Sequence, residues 1–301
     1  MKTAFVVLAV VMLAVSVVLC PAEACVGARA LAMGGAFTGL ADDASATYWN
    51  PAALVDLPSK ANFTAMYTAN NRGQINYQEY VAYVAPVGPT SALGASWLRF
   101  KLTVDVGVVV VDKQDWYWVS FGRKLGPKTS FGANVRFIND SVNVSGISAD
   151  TDTGFDVALY HHASDAVTLG LLVQEVNEPE TTFSSGGSVL SRANWMQNWR
   201  PGIAVRLPEH VILSAEVYNA TEGDIPREAG GRAFRFGAEK KFLPAQPDSG
   251  QPGFALRAGW YGNADALTVG AGVFGPQASA DVALMTGDLE NTWFVSASAS
   301  W

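Results

Sequence analysis

From about Ala61 to the C-terminus, apolar and polar residues alternate with a period of two in segment after segment. Successive side chains of an extended chain point to opposite faces, so the pattern calls for strands with one greasy and one polar face. In the stretch Thr129–Ile138, Phe131, Ala133, Val135 and Phe137 share one face, and Gly132, Asn134 and Arg136 the other. Phe254, Leu256, Ala258 and Trp260 oppose Ala255, Arg257 and Gly259. Phe155, Val157 and Leu159 oppose Asp156, while Val211, Leu213, Ala215 and Val217 oppose Ser214 and Glu216. Ile203, Val205 and Leu207 oppose Arg206, and Phe234, Phe236 and Ala238 oppose Arg235 and Glu239. The polar faces carry glycines and charges of both signs.

Two architectures use such ribbons. A soluble, secreted β-sandwich turns the apolar faces toward each other. A membrane barrel turns them to lipid and the polar faces to its lumen. Only 16% of the 301 residues are charged, against about 25% in ordinary soluble domains. No internal apolar run reaches the roughly 18 residues of a membrane helix. A net charge of -7 with no basic stripe argues against nucleic acid as a partner.

The N-terminus reads as a cleaved signal peptide over residues 1–24. Lys2 supplies the positive start, Ala4–Leu19 the apolar core and Ala22-Glu23-Ala24 the cleavage site. The mature chain then begins near Cys25, and loss of Cys20 leaves Cys25 without an intramolecular disulfide partner.

Three features favour the barrel. Trp293, Val295, Ala297, Ala299 and the terminal Trp301 share one face, opposite Ser296, Ser298 and Ser300. This ending, Trp293, Val295 and Trp301 above all, looks like the C-terminal assembly signal of bacterial outer-membrane barrels, which implies the barrel assembly machinery and outer-membrane lipid as partners. Tight turns at Gly275-Pro276-Gln277 and Leu207-Pro208-Glu209 alternate with long connections at Ala220–Gly231, Val176–Asn198 and Asn139–Thr151, as short periplasmic turns alternate with long outer loops. Leu243–Pro252 is the exception, long on the short-turn side. The strand count is 14 when Leu102–Val111 is assigned to an external loop or hairpin extension, and even counts are the rule for bacterial single-chain barrels. The first strand then lies near Ala61–Ala69. Trp97, Trp116, Tyr117, Trp118, Trp260, Tyr261, Trp293 and Trp301 fall near strand ends, where an aromatic girdle is expected.

Residues 25–59 differ from the rest. Gly27, Ala28, Ala30, Ala32, Gly34, Gly35, Ala36 and Gly39 suit a backbone folded back into the lumen. Gly34-Gly35 would break a helix begun at Arg29. Asn50 and Pro51, followed by Ala52, read as N-cap and first residue of a short helix. Asp42 and Asp43 are expected to cap backbone amides, to pair with lumen arginines or to form a solvated turn.

The run "ALAMGGAFTGLADDASATYWNPAAL" resembles the N-terminal signature of the PorV/PorQ family, itself similar to the FadL-type hydrophobe transporters. The pieces "GFDVALYHHASDAVTLGLLVQEV", "RPGIAVRLPEHVILSAEVY", "FRFGAEKKF" and "FALRAGWYGNADALTVGAGV" agree with it. In the FadL group an Asn-Pro-Ala step lies in an N-terminal hatch inside a 14-stranded barrel, and Asn50, Pro51 and Ala52 match that step. The resemblance implies either a docking component of protein secretion or surface attachment, through outer loops such as Val176–Asn198, or passive passage of small hydrophobic molecules such as fatty acids.

No enzyme chemistry is evident. His161, His162, Ser164 and Asp165 sit in "HHASD", where immediate strand neighbours face opposite ways, so a periplasmic turn is expected rather than a triad or a metal site. No cofactor or metal is expected. Gly270 and Gly272 read as lumen-facing glycines that leave room for the plug. Arg136, Asp156, Arg206, Glu216, Arg235, Glu239, Arg257 and Asp281 form the inward charges, either pairing across the lumen to hold the plug or lining a solute path. The expectation is an all-β, transmembrane antiparallel barrel of about 14 strands, residues 60–301, in the bacterial outer membrane, with a small N-terminal hatch in its lumen. Its function is docking; the alternatives are hydrophobe transport and a soluble β-sandwich.

Overall fold

The computed structural model describes residues 26–57, 61–69, 75–105, 109–143, 146–225, 231–243, 251–286 and 291–301. The expected signal peptide and Cys25 lie outside the described residues. The alternating segments form strands β1 (Asn62–Ala69), β2 (Ile75–Gly88), β3 (Ser91–Asp105), β4 (Val109–Lys124), β5 (Thr129–Val142), β6 (Ile147–Thr151), β7 (Gly154–His162), β8 (Val167–Gln174) and β9 (Glu180–Ser185). They continue with β10 (Ser188–Asn194), β11 (Asn198–Leu207), β12 (Val211–Tyr218), β13 (Ala233–Phe242), β14 (Gly253–Tyr261), β15 (Ala266–Phe274), β16 (Ala278–Thr286) and β17 (Thr292–Ser300).

Fourteen of these strands close into one antiparallel ring, and β6, β9 and β10 make a separate three-stranded sheet. The ring shuts where β17 pairs with β1, Asn62 opposite Ser300 and Ala69 opposite Trp293. Closure removes the unpaired edges that an open sheet would expose. Leu102–Val111 adds no strand of its own. Its first residues prolong β3 and its last begin β4, with Asp105 opposite Val109; residues 106–108 lie outside the described residues.

The faces decide between barrel and sandwich. Phe236 and Leu256 are 50% and 52% exposed on the outside, while Arg235, Glu239 and Arg257 are buried within. A sandwich would bury the first set, so that alternative is overturned. Tyr117, Trp293 and Trp301 stand outward with the apolar belt. Trp116, Trp118 and Tyr261 do not: they point into the lumen and are buried. They alternate with outward Tyr117 and Trp260, so three of the eight residues of the expected girdle are interior lining. Among the described residues no helix is long and apolar enough to cross a membrane.

Residues 26–57 fold as helix α1 (Ala28–Ala32), helix α2 (Ala46–Trp49) and a 3-10 turn over Pro51–Asp56. Gly34 and Gly35 end α1 at φ of 66° and 69°, a left-handed conformation that glycine adopts without strain. Leu31, Met33, Phe37, Leu40 and Trp49 are fully buried. Side chains from around the ring hold this segment. Thr268 on β15 bonds Gly34 N and Ala32 O, each at 3.1 Å. Asn134 on β5 donates to Thr47 O at 3.0 Å, Tyr160 on β7 to Leu40 O at 3.1 Å and Thr168 on β8 to Gly39 O at 2.7 Å. Partners on two separated arcs of the wall, β15 and the consecutive strands β5, β7 and β8, place the segment inside the ring.

Candidate functional site

The lumen has two unlike halves. On the β1–β4 side the inward residues include a cluster of apolar and aromatic side chains, Met66, Tyr80, Leu98, Phe100, Trp116 and Trp118, set among the uncharged polar residues Thr64, Gln78, Ser96, Gln114 and Ser120, all of them buried. Their rings meet edge-on, as ring quadrupoles prefer. Phe100 and Trp116 lie 5.5 Å apart at 69°, and Tyr48 and Trp118 5.9 Å apart at 89°. The contacts run on into the N-terminal segment through Tyr48–Trp49 at 5.0 Å and Trp49–Phe37 at 5.9 Å. At the other end Trp195, between β10 and β11, packs on Trp116 at 5.2 Å. A continuous line of rings therefore joins the outer sheet to the internal segment. Sequence reasoning expected a polar interior throughout and missed this half. The clue was the face shared by Trp116 and Trp118 with Ser120 and Gly122.

On the β11–β16 side the wall is ionic. Glu216 Oε1 accepts from Arg200 at 2.9 and 2.6 Å and from Arg235 at 3.3 Å. Its Oε2 accepts from the backbone N–H groups of Phe37 and Thr38 at 3.2 and 3.0 Å. Glu239 accepts from Arg257 at 2.6 Å and from Arg29 at 2.9 and 3.1 Å. Arg257 also donates to Asp281 at 2.8 Å. Asp42 pairs with Arg29, so it reaches the wall through an arginine of its own segment. Asp43 accepts from Ser45 N at 2.8 Å and caps the turn before α2.

The remaining charges lie apart. Arg206 is half-buried, reaches Thr168 Oγ1 at 3.5 Å and interacts with Tyr160. Asp156 accepts from Asn134 Nδ2 and Glu175 N, both at 3.0 Å, and Arg136 pairs with Glu175 at 2.5 Å. Glu175 lies past the end of β8, where burial pushes its carboxyl up to about 8 despite the neighbouring Arg136. Arg200 and Glu175 were not singled out from sequence. Arg200 precedes Pro201, a poor strand residue, and Glu175 ends a strand at φ 55°.

The Asn-Pro-Ala step sits where the segment returns to the wall. Asn50 Oδ1 accepts from Ala52 N at 3.0 Å, and its Nδ2 donates to Thr38 O and Leu159 O at 3.0 and 3.1 Å. Pro51 begins the 3-10 turn. A Cβ on Gly132 would collide with Pro51 C and Ala52 N, so a glycine there lets the two backbones touch. Asp56, at the exit, meets Lys124 at 3.1 Å and His162 at 2.8 Å. Gly270 faces Ala32 of the segment, whereas Gly272 makes room for Arg257 and Asp281. His161 bonds Thr129 at 2.9 Å. Among the described residues no three His, Cys, Asp or Glu side chains converge as a metal site.

The closed 14-stranded antiparallel barrel is a FadL-like fold. Solved structures share it. A Ralstonia pickettii toluene transporter, TbuX, is 14% identical with a TM-score of 0.63, covering 92% of this chain and 98% of its own. The Pseudomonas putida toluene transporter TodX is 15% identical with a TM-score of 0.62, over 91% and 97%. A Pseudomonas aeruginosa FadL homologue is 13% identical with a TM-score of 0.60, over 89% and 96%. No family model matches the chain, and no curated protein matches it in sequence.

Proposed function

We propose that this chain is an outer-membrane barrel that passes small apolar molecules across the membrane, with residues 25–59 acting as a hatch. The observation that carries the reading is the uncharged, aromatic-rich cluster on the β1–β4 side of the lumen. A water-filled porin has a polar interior; Leu98, Phe100, Trp116 and Trp118 are packed against the N-terminal segment, and a shift of that segment would give an apolar molecule their surface to bury against. The resemblance in fold to toluene transporters supports it. The docking function implied by the PorV/PorQ resemblance has no comparable feature in the lumen to support it. In this reading residues 1–24 direct export, β17 with Trp293, Val295 and Trp301 is the strand read by the assembly machinery, and the β6/β9/β10 sheet faces outward from the cell. The inward charges hold the hatch rather than line the path.

Uptake of labelled toluene by host cells whose own outer membrane excludes hydrocarbons tests this. Expression of the full chain is expected to raise uptake several-fold, and Leu98→Arg, which puts a charge in that cluster, to abolish the gain. Equal uptake by the two variants would refute the reading.

A further inference from the structure

Arg200 and Arg235 also lie over aromatic rings, and Arg136 differs from them in its hydrogen bonding. Its Nη1 meets Glu175, but its Nε and Nη2 are buried without a hydrogen-bond partner. Besides the Asp156 carboxylate, which interacts with it electrostatically, its neighbours include two aromatic rings: the guanidinium carbon lies 4.8 Å from the Trp116 ring and 4.7 Å from the Trp195 ring. A buried cation satisfied this poorly by hydrogen bonds depends on the negative faces of those rings. Gly154, opposite Arg136 in the β5–β7 register, adds no side chain there; a Cβ would fall 2.7 Å from Glu175 Oε2 and 3.3 Å from Arg136 Nε and Nη2.

The two indoles are mounted differently. Trp116 belongs to wall strand β4. Trp195 belongs to the link between β10 and β11 and is tied to the outer sheet, its N donating to Pro179 O and its Nε1 to Thr181 Oγ1, both at 2.9 Å. It is only half-buried, and it is the first ring of the line that leads down to Phe37. Trp195 thus contacts Trp116 edge-on at 83° and Arg136 through its face, a geometry that another aromatic ring can reproduce. A saturated ring of the same size cannot. It lacks the quadrupole, and Arg136 would then keep its charge against hydrocarbon.

Resting on the transport reading above, we propose that Arg136 determines specificity and Trp195 guards it: an aromatic molecule enters by taking the place of Trp195 beside Arg136 and Trp116, and saturated hydrocarbons are disfavoured. Trp195 is a positioning residue that keeps the cation covered until cargo arrives.

Toluene and methylcyclohexane, alike in carbon count and shape, separate the possibilities in the uptake assay. The full chain is expected to favour toluene by about tenfold, the size of a desolvated cation–π contact. Arg136→Met should bring the ratio to near one, and Arg136→Lys, which keeps the cation, should restore most of it. Trp195→Ala should raise uptake of both compounds and keep the preference. A folded-barrel mobility shift on unheated gels confirms that each variant is assembled. A ratio near one in the full chain, an unchanged ratio in Arg136→Met, or loss of uptake in Trp195→Ala would overturn the assignment while leaving transport intact. Uptake of neither compound by the full chain would instead remove the transport reading itself.

Discussion

Glu239, on the barrel wall, accepts hydrogen bonds from Arg29 of the internal segment at 2.9 and 3.1 Å, across 210 residues of chain. The same carboxylate binds Arg257, so one wall residue joins the segment to the ladder that ends at Asp281. Breaking a buried pair by removing one partner costs about 3–5 kcal/mol, because the other charge is left uncompensated. Arg29→Ala leaves Glu239 paired with Arg257, whereas Glu239→Leu takes a partner from both arginines, leaving Arg29 with Asp42 and Arg257 with Asp281. The second variant is expected to lower the thermal unfolding midpoint further than the first; the reverse order would show that Glu239 does not anchor the segment.

Gly132→Val places a branched side chain where Pro51 and Ala52 press on β5. The ring hydrogen bonds do not depend on that side chain, so the barrel should still assemble with its segment unseated. Protease cleavage within residues 26–57 is predicted to rise in the variant while the strands stay protected. Wild-type resistance throughout would mean that the close approach is dispensable.

Glu175 sets a pH dependence. Its carboxyl rises from 4.5 to about 8 on burial, so the folded chain holds this proton more tightly than the unfolded chain does. The stability it contributes is complete below about 4.5 and is lost as pH rises through about 8. The unfolding midpoint of the wild type should therefore fall between about pH 6 and pH 9. Glu175→Gln, neutral throughout, should flatten that slope; an unchanged slope would assign it to another group.

Val295 and Ser296 are neighbours on β17 that face opposite ways, Val295 outward and Ser296 into the lumen. An arginine on the lipid face of a barrel costs about 2–4 kcal/mol near the bilayer midplane. Val295→Arg is expected to lose about that much in a lipid-bilayer unfolding titration, and Ser296→Ala well under 1 kcal/mol. Equal losses would mean that the outer face does not meet lipid.

Much of this architecture can be read from residue order. Phe131, Ala133, Val135 and Phe137 mark the outer face of β5 because the alternation has one consistent phase there. Closure at 14 strands followed from treating Leu102–Val111 as a hairpin extension. Other parts were hidden for physical reasons. The tryptophans flanking Tyr117 were assigned to a girdle because an aromatic residue satisfies a lipid interface and a lumen equally well; only their phase with Ser120 and Gly122 separates the two. The sheet of β6, β9 and β10 is short and polar, although Gly186-Gly187, with φ of 56° and 82°, is the signal of a tight hairpin turn. The ionic anchors of the segment join residues far apart in sequence, and alternation carries no information about which charges meet.

Apolar cargo crossing the barrel would have to occupy the β1–β4 side of the lumen. Photolabelling with a diazirine-bearing aromatic hydrocarbon, read residue by residue on β4, tests it directly. Tyr117 and Val119 face lipid and should be labelled whether or not toluene is present. Trp116 and Trp118 should also be labelled, and excess toluene should suppress label at those two positions alone. Labelling confined to Tyr117 and Val119, with nothing for toluene to compete away, would contradict the account.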